Sequence, residues 1–259
     1  MIEKIKKYLL ASSIVAVLFF KRDLIFSEQS QQADAIRSDA QRRTVIVSWA
    51  TQTWSGLIFS EDASGMNVLT IIHQDAMKKI IASGKNEVTV VTESGKKLRA
   101  EIVSWDGCQE ISMLKVLDKA YNEGFSETKI EKSEQYLSEN LFSFGHPLGL
   151  KIHYSQGVLT SKDVVIKECG MITYGFSGGT MPGQTGSGVW NDKGELSGLI
   201  VATSAYQIKT MNSNGEILGY SNMPVDFLGR YIPSSIVSHF LANQERFSIK
   251  NTITSTALN

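Results

Sequence analysis

No excess of either charge marks this chain of 259 residues: 26 Lys and Arg stand against 26 Asp and Glu. It therefore lacks a global field that would draw it to nucleic acid or to an acidic substrate. No basic run is longer than Lys96-Lys97-Leu98-Arg99, so a local stripe for nucleic acid is missing too. Cysteine is scarce. Cys108 and Cys169 are too few for a disulfide framework or a structural zinc site. They would bridge only in an oxidising compartment and with their Cα atoms close, and two separate buried thiols is the preferred reading. Motifs for a metal or a cofactor are also absent, and neither is expected.

An uninterrupted membrane-spanning run is missing as well. The apolar stretch Tyr8 to Phe20 is short of the about 20 residues that a spanning helix needs. Its basic flanks, Lys4 to Lys7 before it and Lys21-Arg22 after it, give residues 1–26 the layout of a signal peptide or signal anchor. No small-x-small exit follows the run, which ends Leu-Phe-Phe-Lys-Arg, and this favours an uncleaved anchor. The expected location is at the membrane or across it, on the periplasmic or extracellular side.

What the chain does have is hydrophobic content of 42%, enough to bury one good core after the N-terminal segment. Residues 27–43 turn to Ser, Gln, Asp, Ala and Arg, the composition of a solvated linker or loose helix. From Val45 onward short β-type segments recur between turn signals, for instance Val45 to Trp49, Glu87 to Thr92 and Leu98 to Trp105. Val158 to Thr160 and Val164 to Lys167 read as two separate pieces. Many short strands with few long helical patterns indicate an all-β barrel or sandwich. One helical pattern stands near the end, Pro233 to Asn243, with Ile236, Val237, Phe240 and Leu241 on one stripe. Residues 246–259 are read as a tail.

The stretch Pro182 to Val201 organises the rest. A glycine-rich bend, Pro-Gly-Gln-Thr-Gly-Ser-Gly, runs into an apolar strand, a polar turn at Asn191 to Gly194 and a second apolar strand. A Gly-x-Ser/Thr-Gly bend ahead of a strand presents a hydroxyl while backbone N–H groups converge on one point, as stabilisation of an acyl-transfer oxyanion requires. Three further stretches precede it in order: Ser55 to Asp62 leading into Leu69-Thr70-Ile71-Ile72-His73; Ala100 to Val116; and Phe144 to Gly149 followed by Gln156 to Leu159. Together these resemble the trypsin-like (chymotrypsin-fold) serine proteases, nearest their HtrA-like and glutamyl-endopeptidase branches, without a PDZ domain.

That resemblance implies two six-stranded antiparallel barrels within residues 44–245: the first about 44–135, the second about 136–232, then the helix 233–243. It implies a peptide or protein substrate and no cofactor. The general base falls on His73, preceded by Ile72 where the family has a small residue. The acid falls on Glu110, with Asp106 as the alternative. The nucleophile falls on Thr185, a departure from serine, with Ser177 in Gly175-Phe176-Ser177-Gly178-Gly179 as the alternative and Ser187 read as a turn hydroxyl. Backbone N–H groups of Gly183 and Thr185 would form the oxyanion hole. Ile200 to Ala205 would line the S1 wall. Because Cys108 and Cys169 fall in different barrels, no bridge between them is expected. The function implied is that of an endopeptidase homologue, weakened by threonine at the nucleophile position, or else a pseudoprotease that binds peptide or serves as an adaptor.

Overall fold

The computed structural model describes residues 30–249 apart from Ser64, Lys119, Ala120, Asn122, 166–168, Ser213 and Gly215, and only the backbone of 202–211 and 217–228. The expected N-terminal apolar helix and anchor lie outside the described residues, among which no helix is long and apolar enough to cross a membrane. The chain divides into two units, residues 1–39 and 40–259. Residues 30–39 of the first are helical, and the second opens with three helical residues, 40–42.

Twelve strands follow among the described residues. The first six are β1 (Thr44–Trp49), β2 (Gln52–Asp62), β3 (Gly65–Ile71), β4 (Glu87–Val91), β5 (Lys97–Trp105) and β6 (Ile111–Val116). They close antiparallel into one barrel in the order β1-β2-β3-β6-β5-β4. Side chains alternate across a strand, and β5 shows it plainly: Leu98, Ala100 and Ile102 are buried while Lys97 and Arg99 are exposed. With Val45, Val47, Val68, Val90 and Leu114 they fill the barrel.

Between β3 and β4 stands helix α1 (Gln74–Ala82), which buries Ala76, Met77 and Ile80 against the first barrel's core. Truncating a buried Ile such as Ile80 to Ala typically costs about 2–5 kcal/mol, so this short helix is held by packing more than by its own propensity.

The second barrel is built from β7 (Asn140–Gly145), β8 (His153–Val165), β9 (Ile172–Phe176), β10 (Gly188–Asn191), β11 (Leu196–Met211) and β12 (Ile217–Pro233). Its order is β10-β11-β12-β9-β8-β7. The two-barrel all-β architecture expected from the sequence is the one observed. The pieces read as separate strands at Val158 and Val164 are one strand, β8, whose register with β9 shifts between Leu159 and Ser161 and again before Val164. Leu141, Leu159, Phe176, Val189, Ile200 and Tyr231 form its core.

Helix α2 (Ser234–Ala242) follows β12 directly. Beyond it the chain returns to the first barrel. Trp105 N–H donates to Phe247 O at 2.8 Å, Ser104 bridges Ser248, and Ile249 is buried in the first barrel's core. This segment straps one barrel to the other.

The cysteine expectation is corrected here. Cys108 and Cys169 are joined in a disulfide, with Cα atoms 5.7 Å apart across 61 residues of sequence. Cys108 sits in the β5–β6 loop and Cys169 in the β8–β9 loop. The two loops belong to different barrels, as the sequence indicates, but they meet where the barrels adjoin.

Candidate active site

Strand β3 ends at Ile71, and the next two residues carry the chain into α1. Ile72 is fully buried, its N–H donating to Glu110 O at 3.0 Å and its carbonyl accepting the Trp105 indole Nε1–H at 3.2 Å. The large side chain that departs from the family pattern therefore packs into the first barrel's core. His73 comes next as the residue before the helix, with φ −59° and ψ 147°, and its carbonyl accepts Met77 N–H at 3.0 Å. The peptide is thus fixed on both sides of the imidazole.

Glu110 closes the β5–β6 loop. Asp106 Oδ1 accepts the N–H groups of Cys108 at 2.9 Å and Gln109 at 3.0 Å, and Asp106 O accepts Glu110 N–H at 2.6 Å. Glu110 emerges from this turn with φ +59°, uncommon for a residue with a side chain. Glu110 is 2% exposed, so the charge of its carboxylate must be met by donors. Oε2 accepts His73 Nδ1–H at 2.8 Å, and Oε1 accepts the N–H of Gln74, the first residue of α1, at 2.7 Å. A carboxylate that only accepts places the imidazole proton on Nδ1 and leaves Nε2 with its lone pair. The helix N-terminus favours the negative charge. Asp106, the alternative acid, is occupied in building the turn.

The glycine bend lies on the far side of the barrel junction. Gly186 has φ +91°, and a Cβ there would stand 2.1 Å from Ser55 O, 2.5 Å from Thr70 Oγ1 and 3.0 Å from Ile71 N. No other residue permits that approach, which brings the bend against the strand ending two residues before His73. Gly186 N–H donates to Ile200 O at 2.7 Å, and Gln184, 2% exposed, bonds Met181 N–H through Oε1 at 2.7 Å. Thr185 is half-buried between them; its hydroxyl donates to Val201 O at 3.5 Å and its carbonyl accepts Ser55 N–H at 2.9 Å.

Gly183 has φ +95°, with Leu148 N only 2.3 Å from where a Cβ would be. Pro182 O accepts Leu148 N–H at 2.9 Å. In a trans peptide the N–H opposes the carbonyl, so the Gly183 N–H points away from Leu148. Among the described residues no acceptor takes the N–H of Gly183 or of Thr185.

Other candidates stand apart. Ser177 Oγ accepts Val158 N–H at 2.8 Å and ties β9 to β8. Ser187 is fully buried, its hydroxyl without a partner among the described residues. Of the expected S1 wall, Ile200 and Val201 are buried, while the side chains of 202–205 lie outside the described residues. An open cavity of about 350 Å³ adjoins the bend, lined by Thr51 to Trp54 with Leu148, Pro182 and Gly183. A larger open depression of about 570 Å³ around Glu127 to Ser133 and Lys193 touches none of these residues. No group of metal-ligating side chains occurs among the described residues.

Two barrels, a buried carboxylate on a histidine and a glycine bend at their junction agree with a sequence comparison. Residues 54–199, more than half of the chain, match the model of the trypsin-like peptidase domain. The chain belongs to the trypsin-like peptidase family. No curated protein matches this peptidase domain in sequence. Among solved structures it is similar in fold to Rv3671c from M. tuberculosis H37Rv, crystallised as a serine-to-alanine mutant in an inactive form. The identity is 14%, the TM-score 0.58, and the match covers 82% of this chain and 90% of that one.

Sequence reasoning missed the interactions that hold the bend. Ser55 is visible in its Ser-Gly strand, but nothing in the sequence shows that its hydroxyl reaches Gly183 O, at 2.9 Å, across 128 residues. Helix α1 was equally hidden. Its nine residues carry Asp75, Lys78 and Lys79 among the apolar ones, too short a pattern to register against the surrounding strands.

Proposed function

We propose that this trypsin-like domain hydrolyses peptide bonds, with His73 as general base, Glu110 as the group that orients it and Thr185 as nucleophile. The observation that carries the reading is the buried Glu110 carboxylate bonded to His73 Nδ1 at 2.8 Å. His73 Nε2 takes the Thr185 hydroxyl proton as Oγ1 attacks the scissile carbonyl. Glu110 stabilises the imidazolium, which then gives the proton to the leaving amine. The N–H groups of Gly183 and Thr185 receive the oxyanion, and water repeats the cycle on the acyl-threonine. Cleavage of a peptide library, read by mass spectrometry, tests this. It should be detectable in the wild-type chain and vanish in both His73→Ala and Thr185→Ala; cleavage surviving both would defeat the assignment.

A second reading, a pseudoprotease that binds peptide in the same cleft or acts as an adaptor, is favoured by Thr185 itself. Its hydroxyl must leave Val201 O to meet the imidazole, and its methyl restricts χ1. Crowding costs of about 1–3 kcal/mol correspond to roughly tenfold to a hundredfold in rate, so activity is expected to be slow. Peptide binding by a chain that a fluorophosphonate does not label would favour this reading.

The domain acts at a membrane or beyond it. The support is the basic-apolar-basic pattern of residues 1–26 together with the disulfide, which persists in oxidising compartments. Full-length chain recovered in the cytosolic fraction, with its cysteines reduced, would overturn this.

A further inference from the structure

We propose that Ser55 is the positioning residue that holds the oxyanion bend in its receptive conformation, an inference that rests on the hydrolytic reading above. Ser55 is fully buried and all its polar groups are engaged. Its N–H donates to Thr185 O at 2.9 Å and its carbonyl accepts Thr70 Oγ1–H at 2.6 Å. Its hydroxyl donates to Gly183 O at 2.9 Å and accepts His146 N–H at 2.8 Å. The one proton and one lone pair that the hydroxyl needs for these two bonds are both in use. One residue of the first barrel thereby grips both ends of the second barrel's Gly183–Thr185 segment.

The grip acts on the donors. The Gly183 N–H lies in the Pro182–Gly183 peptide plane, and how that plane sits against the following Gly183–Gln184 plane is set by the torsions of Gly183, the residue with most freedom to turn. Leu148 N–H holds the first plane through Pro182 O at 2.9 Å, and Ser55 Oγ holds the second through Gly183 O. His146 belongs to the same loop as Leu148, and its Nδ1–H closes that loop onto Leu150 O at 2.9 Å. Ser55 therefore couples the loop to the bend, so that neither peptide can turn without breaking a hydrogen bond. A preorganised donor needs no reorganisation when charge develops on the substrate oxygen. The Ser55 hydroxyl touches no reacting atom and works through Gly183.

The test compares full-length wild type, Ser55→Ala and Ser55→Thr, selectively labelled with 15N-glycine. In Ser55→Ala the Gly183 amide should shift and broaden by microsecond-to-millisecond exchange, while the His73 Nδ1 proton resonance stays in place. Ser55→Thr, which keeps the hydroxyl, should restore a sharp amide. In the more reactive Thr185→Ser background, Ser55→Ala should lower kcat by about 10-fold to 100-fold with KM little changed. A folded Ser55→Ala with an unaltered Gly183 amide overturns the proposal, as does a loosened amide with unchanged kcat. If Ser55→Ala does not fold, Ser55→Cys, a weak donor of similar volume, carries the same comparison. A loosened Gly183 amide in a chain that never turns over would support the clamp and count against hydrolysis, so the two claims fail separately.

Discussion

Glu110 Oε2 accepts the His73 Nδ1–H at 2.8 Å while its other oxygen accepts the Gln74 N–H at 2.7 Å. The carboxylate thus spans two donors that differ by one residue, and it does so from a backbone held by Glu110 N–H to Asp106 O and by Glu110 O to Ile72 N–H. With the backbone fixed, the length of the side chain decides whether both bonds form.

Glu110→Asp should therefore lower activity, although aspartate tolerates a positive φ more readily than glutamate. One methylene fewer leaves the carboxylate short of the imidazole. Glu110→Gln should cost more, about 10³–10⁴ in kcat, because an amide can hold the wrong imidazole tautomer. Steady-state kinetics with thermal melting as a folding control would check both. Equal activity in Glu110→Asp would mean that the loop can advance.

The disulfide crosses the barrel junction from the loop that carries Glu110. Closing 61 residues is worth up to about 4 kcal/mol by chain entropy, and measured bridges average about 2–4. The double variant Cys108→Ala/Cys169→Ala should melt roughly 5–15 °C below wild type. Non-reducing peptide mapping should recover the linked Cys108–Cys169 pair. Two free thiols in protein purified from an oxidising compartment would contradict the bridge.

Acid sensitivity should centre on Glu131. Burial alone would raise its carboxyl, but hydrogen bonds from Gln135, Asn191 and Ser133 help to outweigh it and hold the pKa below the ordinary 4.5. A depressed folded-state pKa means that the unfolded chain binds the proton first. The stability from ionised Glu131 is complete above the unfolded pKa and is lost as pH falls through the folded one. Glu131→Gln should be less stable than wild type at neutral pH, since its amide nitrogen faces the donors of Gln135 and Asn191. Its melting temperature should fall less steeply than wild type between about pH 5 and 3. Parallel acid limbs for the two proteins would remove Glu131 from the account.

The barrels were legible because alternation is local: Leu98, Ala100 and Ile102 announce their face without reference to the rest of the chain. His73 and Glu110 could be picked out because each sits beside an apolar strand of recognisable pattern. What stayed hidden is tertiary. The Cys108–Cys169 bridge needs two loops of different barrels to meet, and no spacing records that. Strand β8 looked broken at Ser161 to Asp163 because its register slips there, with Asp163 at φ +54°. The Ser55 hydroxyl carries no sign of its partner because Gly183 approaches from the other barrel.

Thr185 decides between a slow enzyme and a silent one. Its carbonyl accepts Ser55 N–H, and the N–H of the next residue, Gly186, is held on Ile200 O. Only the side chain departs, with an added methyl and a long hydroxyl bond to Val201 O at 3.5 Å. Thr185→Ser removes the methyl, frees χ1 and leaves every main-chain bond in place. Peptide cleavage and fluorophosphonate labelling should both rise by about one to two orders of magnitude, the rate equivalent of relieving about 1–3 kcal/mol of crowding. A gain in Thr185→Ser that is abolished by His73→Ala would locate the whole deficit in one methyl group. A folded Thr185→Ser that stays silent would place the fault in the alignment of the His73–Glu110 pair and favour the peptide-binding reading.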